Sequence, residues 1–216
     1  DELLAACAQR RSTERVLNLQ TGQVTLQEGR RDGVPQLTEQ QLTTFLGPQV
    51  RLIVIGAGDL SRFLCQIALS LGFEVVVCDP REDHRASWHL TGVSVSHEMP
   101  DDLILRLQPD ARTAVVALTH DPKLDDLALI DALQSKAFYV GAIGSRRNSA
   151  LRRERLQTHF GLSETLLQKL HSPAGLDIGS KTPAEIALSI MAEVVAIQNG
   201  KMLKPPQPIA PGQACD

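Results

Sequence analysis

RLIVIGAGDLSRF, residues 51–63, runs from a β-branched apolar segment through Gly56 and Gly58 into a stretch with apolar residues at helical spacing. Strand, glycine turn and helix in that order are the context in which a G-x-G-x-x-G motif binds a dinucleotide. The turn aims backbone N–H groups at a helix N-terminus, where phosphate is favoured. Gly58 permits close backbone approach, and the third glycine of the motif serves helix-to-strand packing, so the small Ser61 in its place is expected to cost little. Asp79 ends the next apolar run, FEVVVCD, about twenty residues beyond Gly58, the spacing of the acidic residue that accepts hydrogen bonds from a ribose. Arg81 is placed to pair with Asp79 or to hold an extra phosphate. The competing reading is a structural tight turn with Asp79 as a solvated strand end.

Outward from this turn the chain keeps the same alternation. VRLIVI (50–55), FEVVVCD (73–79), VSVS (93–96), TAVVAL (113–118) and FYVGAI (138–143) read as strands. Helices are expected at 59–71, near 84–90, and at 101–107, 123–135, 146–160, 163–170 and 183–199. The last has a sharp start, with Thr182, Pro183 and Glu185 at the N-cap, N1 and N3 positions of a capping box. The fold expected is α/β, a Rossmann-like doubly wound parallel sheet with a small N-terminal appendage. Residues 1–49 form that appendage, with a hairpin in RVLNLQTGQVTLQEG turning near Thr21 and Gly22 and no sustained period in the polar stretch 28–41. The Rossmann-like domain covers 50–200, and a proline-rich tail, 201–216, is expected to be extended or disordered.

With 216 residues, 43% of them apolar, the chain suffices for one well-buried domain and an appendage. A net charge of -3 carries no electrostatic footprint for nucleic acid or an anionic membrane. No apolar run approaches the roughly 20 residues of a membrane span. Cys7, Cys65, Cys78 and Cys215 lack the spacings of a zinc site or a disulfide framework, and no charged-then-apolar leader opens the chain, so a reduced cytoplasm is expected. Cys65 is expected to act as a small buried hydrophobe, and so is Cys78, whose place just before Asp79 at the carboxyl end of a strand makes a chemical role the alternative. The histidines show no metal geometry, and HExxH and GxSxG do not occur.

Ligands of doubly wound sheets sit outside the carboxyl ends of the strands, which directs attention to three further clusters. THD, residues 119–121, follows the fourth strand: His120 is a candidate acid, base or donor with Asp121 as its orienter, or else a loop histidine beside a helix cap made by Thr119 or Asp121. GAIGSRR, 141–147, offers Gly144, a capping Ser145, and Arg146 or Arg147 for bidentate phosphate contacts. The RRERL that follows reads as a solvated charged face. SPAGLDIGSKTPAEIALSIMAEVVA, 172–196, places a polar, glycine-rich loop at a capped helix N-terminus, with Lys181 able to contribute charge or, with Asp177, to stabilise the loop. Glu193, deep in that apolar helix, must be paired, exposed or functional.

GAGDLSRFL, LGFEVVVCDPRE, ALTHDPKLDD, YVGAIGSRRNSALRRERL and LHSPAGLDIGSKTPAEIALSIMAEVVA together resemble the xanthine dehydrogenase accessory protein family, XdhC/CoxI, over residues 50–197. The resemblance implies a maturation factor that turns over no metabolite. It would bind the molybdenum cofactor, in its pyranopterin form or as a dinucleotide, and protect it while a cysteine desulfurase installs the terminal sulfido ligand. It would then deliver the cofactor to a molybdenum hydroxylase such as xanthine dehydrogenase. Two departures stand out. The Gly-Gly-Cys segment of many relatives has no counterpart here, since Cys7 sits in LLAACAQR, and Asp59 stands where many relatives carry histidine. Beside a phosphate, Asp59 is expected to point away or to cap the helix.

The ligand edge is therefore assigned to Gly56, Gly58, Asp79, His120, Gly144, Ser145, Arg146 and Lys181. The rival readings are an NAD(P)-dependent oxidoreductase with His120 as proton donor and a nucleotide-sensing binding module. A homodimer through the hairpin or apolar helix faces is compatible with the pattern.

Overall fold

The computed structural model describes residues 2–29 and 34–201, with backbone only for Cys7 and Ala8. The expected tail lies outside the described residues, apart from Lys201. Two compact units divide between Gln49 and Val50.

In the first unit, helix α1 (Glu2–Ala8) precedes strands β1 (Thr13–Asn18), β2 (Val24–Glu28), β3 (Gln36–Leu37) and β4 (Gln41–Leu46). These form an antiparallel sheet in the order β2-β1-β4-β3. The expected hairpin is β1–β2, with Gly22 at φ +72° in its turn. The polar stretch read as aperiodic contributes β3 at its end, held by backbone pairing to β4 rather than by an apolar face.

The second unit continues with β5 (Arg51–Ile55), α2 (Asp59–Ser70), β6 (Glu74–Cys78), α3 (Glu82–Ala86), β7 (Val93–Ser96), α4 (Pro100–Leu107) and β8 (Thr113–Ala117). After these come α5 (Pro122–Gln134), β9 (Tyr139–Ala142), α6 (Arg146–Thr158), α7 (Glu164–Leu167), β10 (Leu170–His171) and α8 (Pro183–Gln198). All six strands pair in parallel, in the order β10-β9-β8-β5-β6-β7. Numbered along the unit, this is the 3-2-1-4-5-6 order of dinucleotide-binding sheets.

Leu52 and Val54 face one apolar core with Leu64 of α2 and Ile190 of α8, while Ile53 and Ile55 face the other with Leu103 of α4 and Leu129 of α5. Burial on both sides is why β5 reads as an unbroken apolar run. Each such side chain contributes roughly 1.5–3 kcal/mol on leaving water.

The structure corrects three sequence expectations. A sixth strand, β10, takes the end of the segment read as a helix over 163–170, so that α7 stops at Leu167. The short helix placed near 84–90 is α3, beginning at Glu82. The charged run after Arg147 turns inward: Arg152 and Arg155 reach Asp125 and Asp126 of α5, and Arg153 donates to the carbonyls of Leu167 and Leu170. Partners on the neighbouring elements compensate charges that a lone helix would leave in water.

Candidate functional site

Connections leave the sheet in opposite directions from between β5 and β8, so a crevice opens beyond the carboxyl ends of those two strands. Gly56 lies there at φ +108°. A Cβ on it would lie 3.1 Å from the Thr119 backbone nitrogen and 3.2 Å from the Leu118 carbonyl carbon. Gly56 is thus needed where the glycine turn meets the loop after β8. Gly58 differs: a Cβ there would meet nothing within 4 Å, and this residue is the N-cap of α2 without a side-chain cap. The start of α2 therefore keeps backbone donors and open space, which suits an anion. Asp59, the departure noted in the sequence, neither caps nor stands alone, because its carboxylate pairs with Arg62 one turn on.

Asp79 is fully buried at the end of β6. Its Oδ2 accepts from the Ala57 N–H at 2.8 Å and from an Arg81 guanidinium nitrogen at 2.8 Å, and its Oδ1 accepts from Arg81 Nε at 2.9 Å and the Arg81 N–H at 3.0 Å. Arg85 donates to the Asp79 carbonyl at 2.7 Å. Burial pushes the carboxyl up, but the bonds from Arg81 and Ala57 outweigh it and hold Asp79 below the usual carboxylate range. Both oxygens that a ribose would need are engaged in a clamp between turn and strand.

Beside the turn, on the β6 side, lies a cleft of about 410 Å³ lined by Ala57–Asp59, Arg62, Asp83, His84, Ser87 and Trp88. Of the assigned residues only Gly58 lines it. Cys78, at the end of β6, is buried, donates to the Glu98 carbonyl at 3.2 Å and has its thiol pushed up to about 12, chiefly by burial, so it supplies no thiolate near neutrality.

Across the crevice, Thr119 is anchored from below. Its backbone N–H and hydroxyl both donate to Asp125 Oδ1, at 3.1 and 2.7 Å. Asp121 accepts from the Lys123 N–H and caps α5. Exposed His120 between them adopts φ +60°, uncommon for a residue with a side chain. Arg152 donates to Asp125 Oδ2 at 3.2 Å, to the Ile143 carbonyl at 2.9 Å and to Ser172 Oγ at 3.3 Å. One arginine thereby ties together the loops after β8, β9 and β10. Burial pushes the Asp125 carboxyl up, and its bonds from Thr119 and the Arg152 charge bring it only part-way back.

Gly144, at φ +155°, precedes Ser145, whose Oγ accepts from the Asn148 N–H and caps α6. Arg146, 90% exposed, reaches Asp177 at 3.3 Å and links this turn to the 172–182 loop. Lys181 is exposed, and its N–H donates to Glu185 at the start of α8. Glu193 resolves as paired: it accepts from the Tyr139 hydroxyl at 2.6 Å and the Gly175 N–H at 2.8 Å, and lies 3.1 Å from His171 Nδ1. Because a carboxylate only accepts, this contact requires the proton on Nδ1. The Tyr139 and His171 rings stack at 4.6 Å.

The XdhC Rossmann domain family model matches residues 52–194. The chain belongs to that family. This XdhC domain is 29% identical over 151 residues to a Bacillus subtilis protein named as one probable component of xanthine dehydrogenase, covering 68% of this chain and 43% of that protein. It is 27% identical over 151 residues to the Escherichia coli molybdenum cofactor insertion chaperone PaoD, covering 70% and 41%. The chain thus spans about two fifths of these curated relatives. A solved structure from Bacillus halodurans, described as a xanthine dehydrogenase, has the same fold, with a TM-score of 0.71 at 23% identity, covering 93% of this chain and 64% of that one. Sequence reasoning missed Arg62, Trp88, Asp125 and Arg152 in the XdhC domain. For Arg152 a signal existed in the acidic pair Asp125–Asp126 beside the apolar residues of α5, a charge-matched partner. Among the described residues no group of three or more His, Cys, Asp or Glu side chains is arranged to hold a metal, and no helix is long and apolar enough to cross a membrane.

Proposed function

We propose that this XdhC domain is the cofactor-holding unit of a cytoplasmic maturation factor. In this reading it binds the molybdenum cofactor, as the pyranopterin phosphate or its dinucleotide, while a cysteine desulfurase installs the sulfido ligand, and then releases it to a molybdenum hydroxylase of the xanthine dehydrogenase class. The names carried by the two curated relatives support that class of role. The observation that carries the reading is the asymmetry of the turn. Its phosphate end at Gly58 is open, while its ribose end at Asp79 is closed by Arg81. That arrangement favours a phosphorylated ligand other than a nicotinamide dinucleotide.

The residues present fit such a group. The uncapped start of α2 offers backbone donors to a phosphate. In this reading His120, the Gly144–Ser145 turn, Arg146 and Lys181 supply a polar rim, and Gly56 lets the glycine turn close on the loop after β8. When bound, the cofactor supplies the metal centre that the client enzyme uses. The chain's own residues bind, orient and shield it, and no proton transfer is required of them.

The test is a parallel titration of the purified protein with anaerobically prepared molybdenum cofactor and with NAD(H) and NADP(H), repeated on Arg146→Ala. Selective cofactor binding, weakened by the substitution, supports the carrier. Tight nicotinamide binding without cofactor binding overturns it.

A further inference from the structure

The cleft beside the glycine turn carries an inference about which part of a ligand it reads, and that inference rests on the carrier reading for the natural ligand. The walls come from the start of α2 and from residues 83–88 alone. Asp59 and Arg62 cancel in their own ion pair. His84 stands 4.0 Å from Asp79 Oδ2. Asp83 is exposed and has no side-chain partner among the described residues. Trp88, the chain's single tryptophan, packs partly buried against the core and lines the cleft.

Two carboxylates against one arginine make a poor receptor for a phosphate within the cleft itself. The same walls suit a flat ring carrying two adjacent N–H donors. A carboxylate, which only accepts, takes both donors, and the indole supplies aromatic surface for the ring. Guanine and pterin present that edge, an exocyclic amino group beside a ring N–H. Adenine and cytosine present an acceptor beside the amino group and mismatch a carboxylate. A volume of about 410 Å³ lies in the range of small-molecule sites.

We propose that this cleft is a subsite for a 2-amino-4-oxo heterocycle of the pterin and guanine class. Asp83 is its bidentate acceptor and Trp88 its aromatic wall, and the attached phosphate lies at the uncapped start of α2.

Because Trp88 is the only tryptophan, its fluorescence reports the cleft directly. The full chain is titrated with 6-hydroxymethylpterin and with GMP, against AMP and CMP. The first two are expected to quench Trp88 and the last two not, and the tighter of the first two distinguishes a pterin source from a guanine nucleotide. Asp83→Asn replaces an acceptor oxygen by a donor and is expected to weaken binding about tenfold. Trp88→Leu, followed by calorimetry, is expected to lose about as much, with circular dichroism confirming that each variant is folded. Binding of AMP as tight as that of GMP and the pterin, absence of binding by both of these, or an Asp83→Asn variant that binds as the parent does overturns the subsite. Titration with the molybdenum cofactor separates the two readings. Pterin binding without cofactor binding sinks the carrier and leaves the subsite, whereas cofactor binding that Asp83→Asn does not weaken sinks the subsite and leaves the carrier.

Discussion

Arg152 and Asp125 meet at 3.2 Å with their side chains 7% and 0% exposed, which makes this ion pair the buried joint of the ligand edge. Asp125 holds Thr119, and Arg152 holds Ile143 and Ser172. Removing one charge leaves the other stranded away from water. Arg152→Met is therefore expected to destabilise the fold by about 3–5 kcal/mol, and adding Asp125→Asn to recover part of that loss. Urea unfolding of the two single variants and the double variant measures the coupling. Additive losses would mean that the pair is not a unit.

At the third-glycine position the structure is less forgiving than the motif implies. Ser61 is 1% exposed, and its hydroxyl has no hydrogen-bond partner among the described residues. An unsatisfied buried group costs about 1–3 kcal/mol. Ser61→Ala keeps the Cβ that packs and removes the stranded hydroxyl. Its Tm is expected to rise by about 2–4 °C for each kcal/mol recovered. Thermal melts of parent and variant decide it, and a lower Tm in Ser61→Ala would assign the hydroxyl a stabilising contact.

Glu193 is expected to make the stability of the fold depend on pH. Burial raises its pKa, yet the bonds from His171, Tyr139 and the Gly175 N–H prevail and hold it below the ordinary 4.5. A carboxyl depressed in the folded state stabilises above its unfolded pKa, and that stabilisation is lost as pH falls through the folded value. The stability advantage of the parent over Glu193→Gln should be full near neutrality and shrink below about pH 4.5. Urea midpoints across that range measure it. A difference that grew toward acid would reverse the assignment.

What the sequence revealed and what it concealed follow from the range of the interactions involved. β5, β6 and β8 were legible because strands buried on both faces are apolar throughout. The capping box was legible because Thr182 and Glu185 satisfy each other's backbone within one turn, at 3.3 and 2.8 Å. β10 was not, since two residues carry no period and their pairing to Val140 and Gly141 is set by the sheet. The site divides in the same way. Gly56 and Gly58 were visible from local backbone demands, whereas the closure of Asp79 depends on where the Arg81 side chain turns. Arg152 passed for a solvated charge because its partner sits one helix away in α5.

That closure yields a last prediction about nucleotide choice. Asp79 stands where a ribose-binding carboxylate would, but the Arg81 fork at 2.8 and 2.9 Å takes both oxygens. Arg81→Ala removes the fork and leaves the backbone N–H bonds from Ala57 and from position 81 in place. Freed of their guanidinium, the oxygens regain capacity to accept from a ribose diol, the role of this position in nicotinamide-binding sheets. Arg81→Ala should therefore bind NADH measurably more tightly than the parent, and Arg81→Lys, which keeps a charge but lacks the fork, should fall between them. NADH fluorescence titration of the three proteins reads the order. Equal affinities would show that Arg81 is not what governs access of a ribose to Asp79.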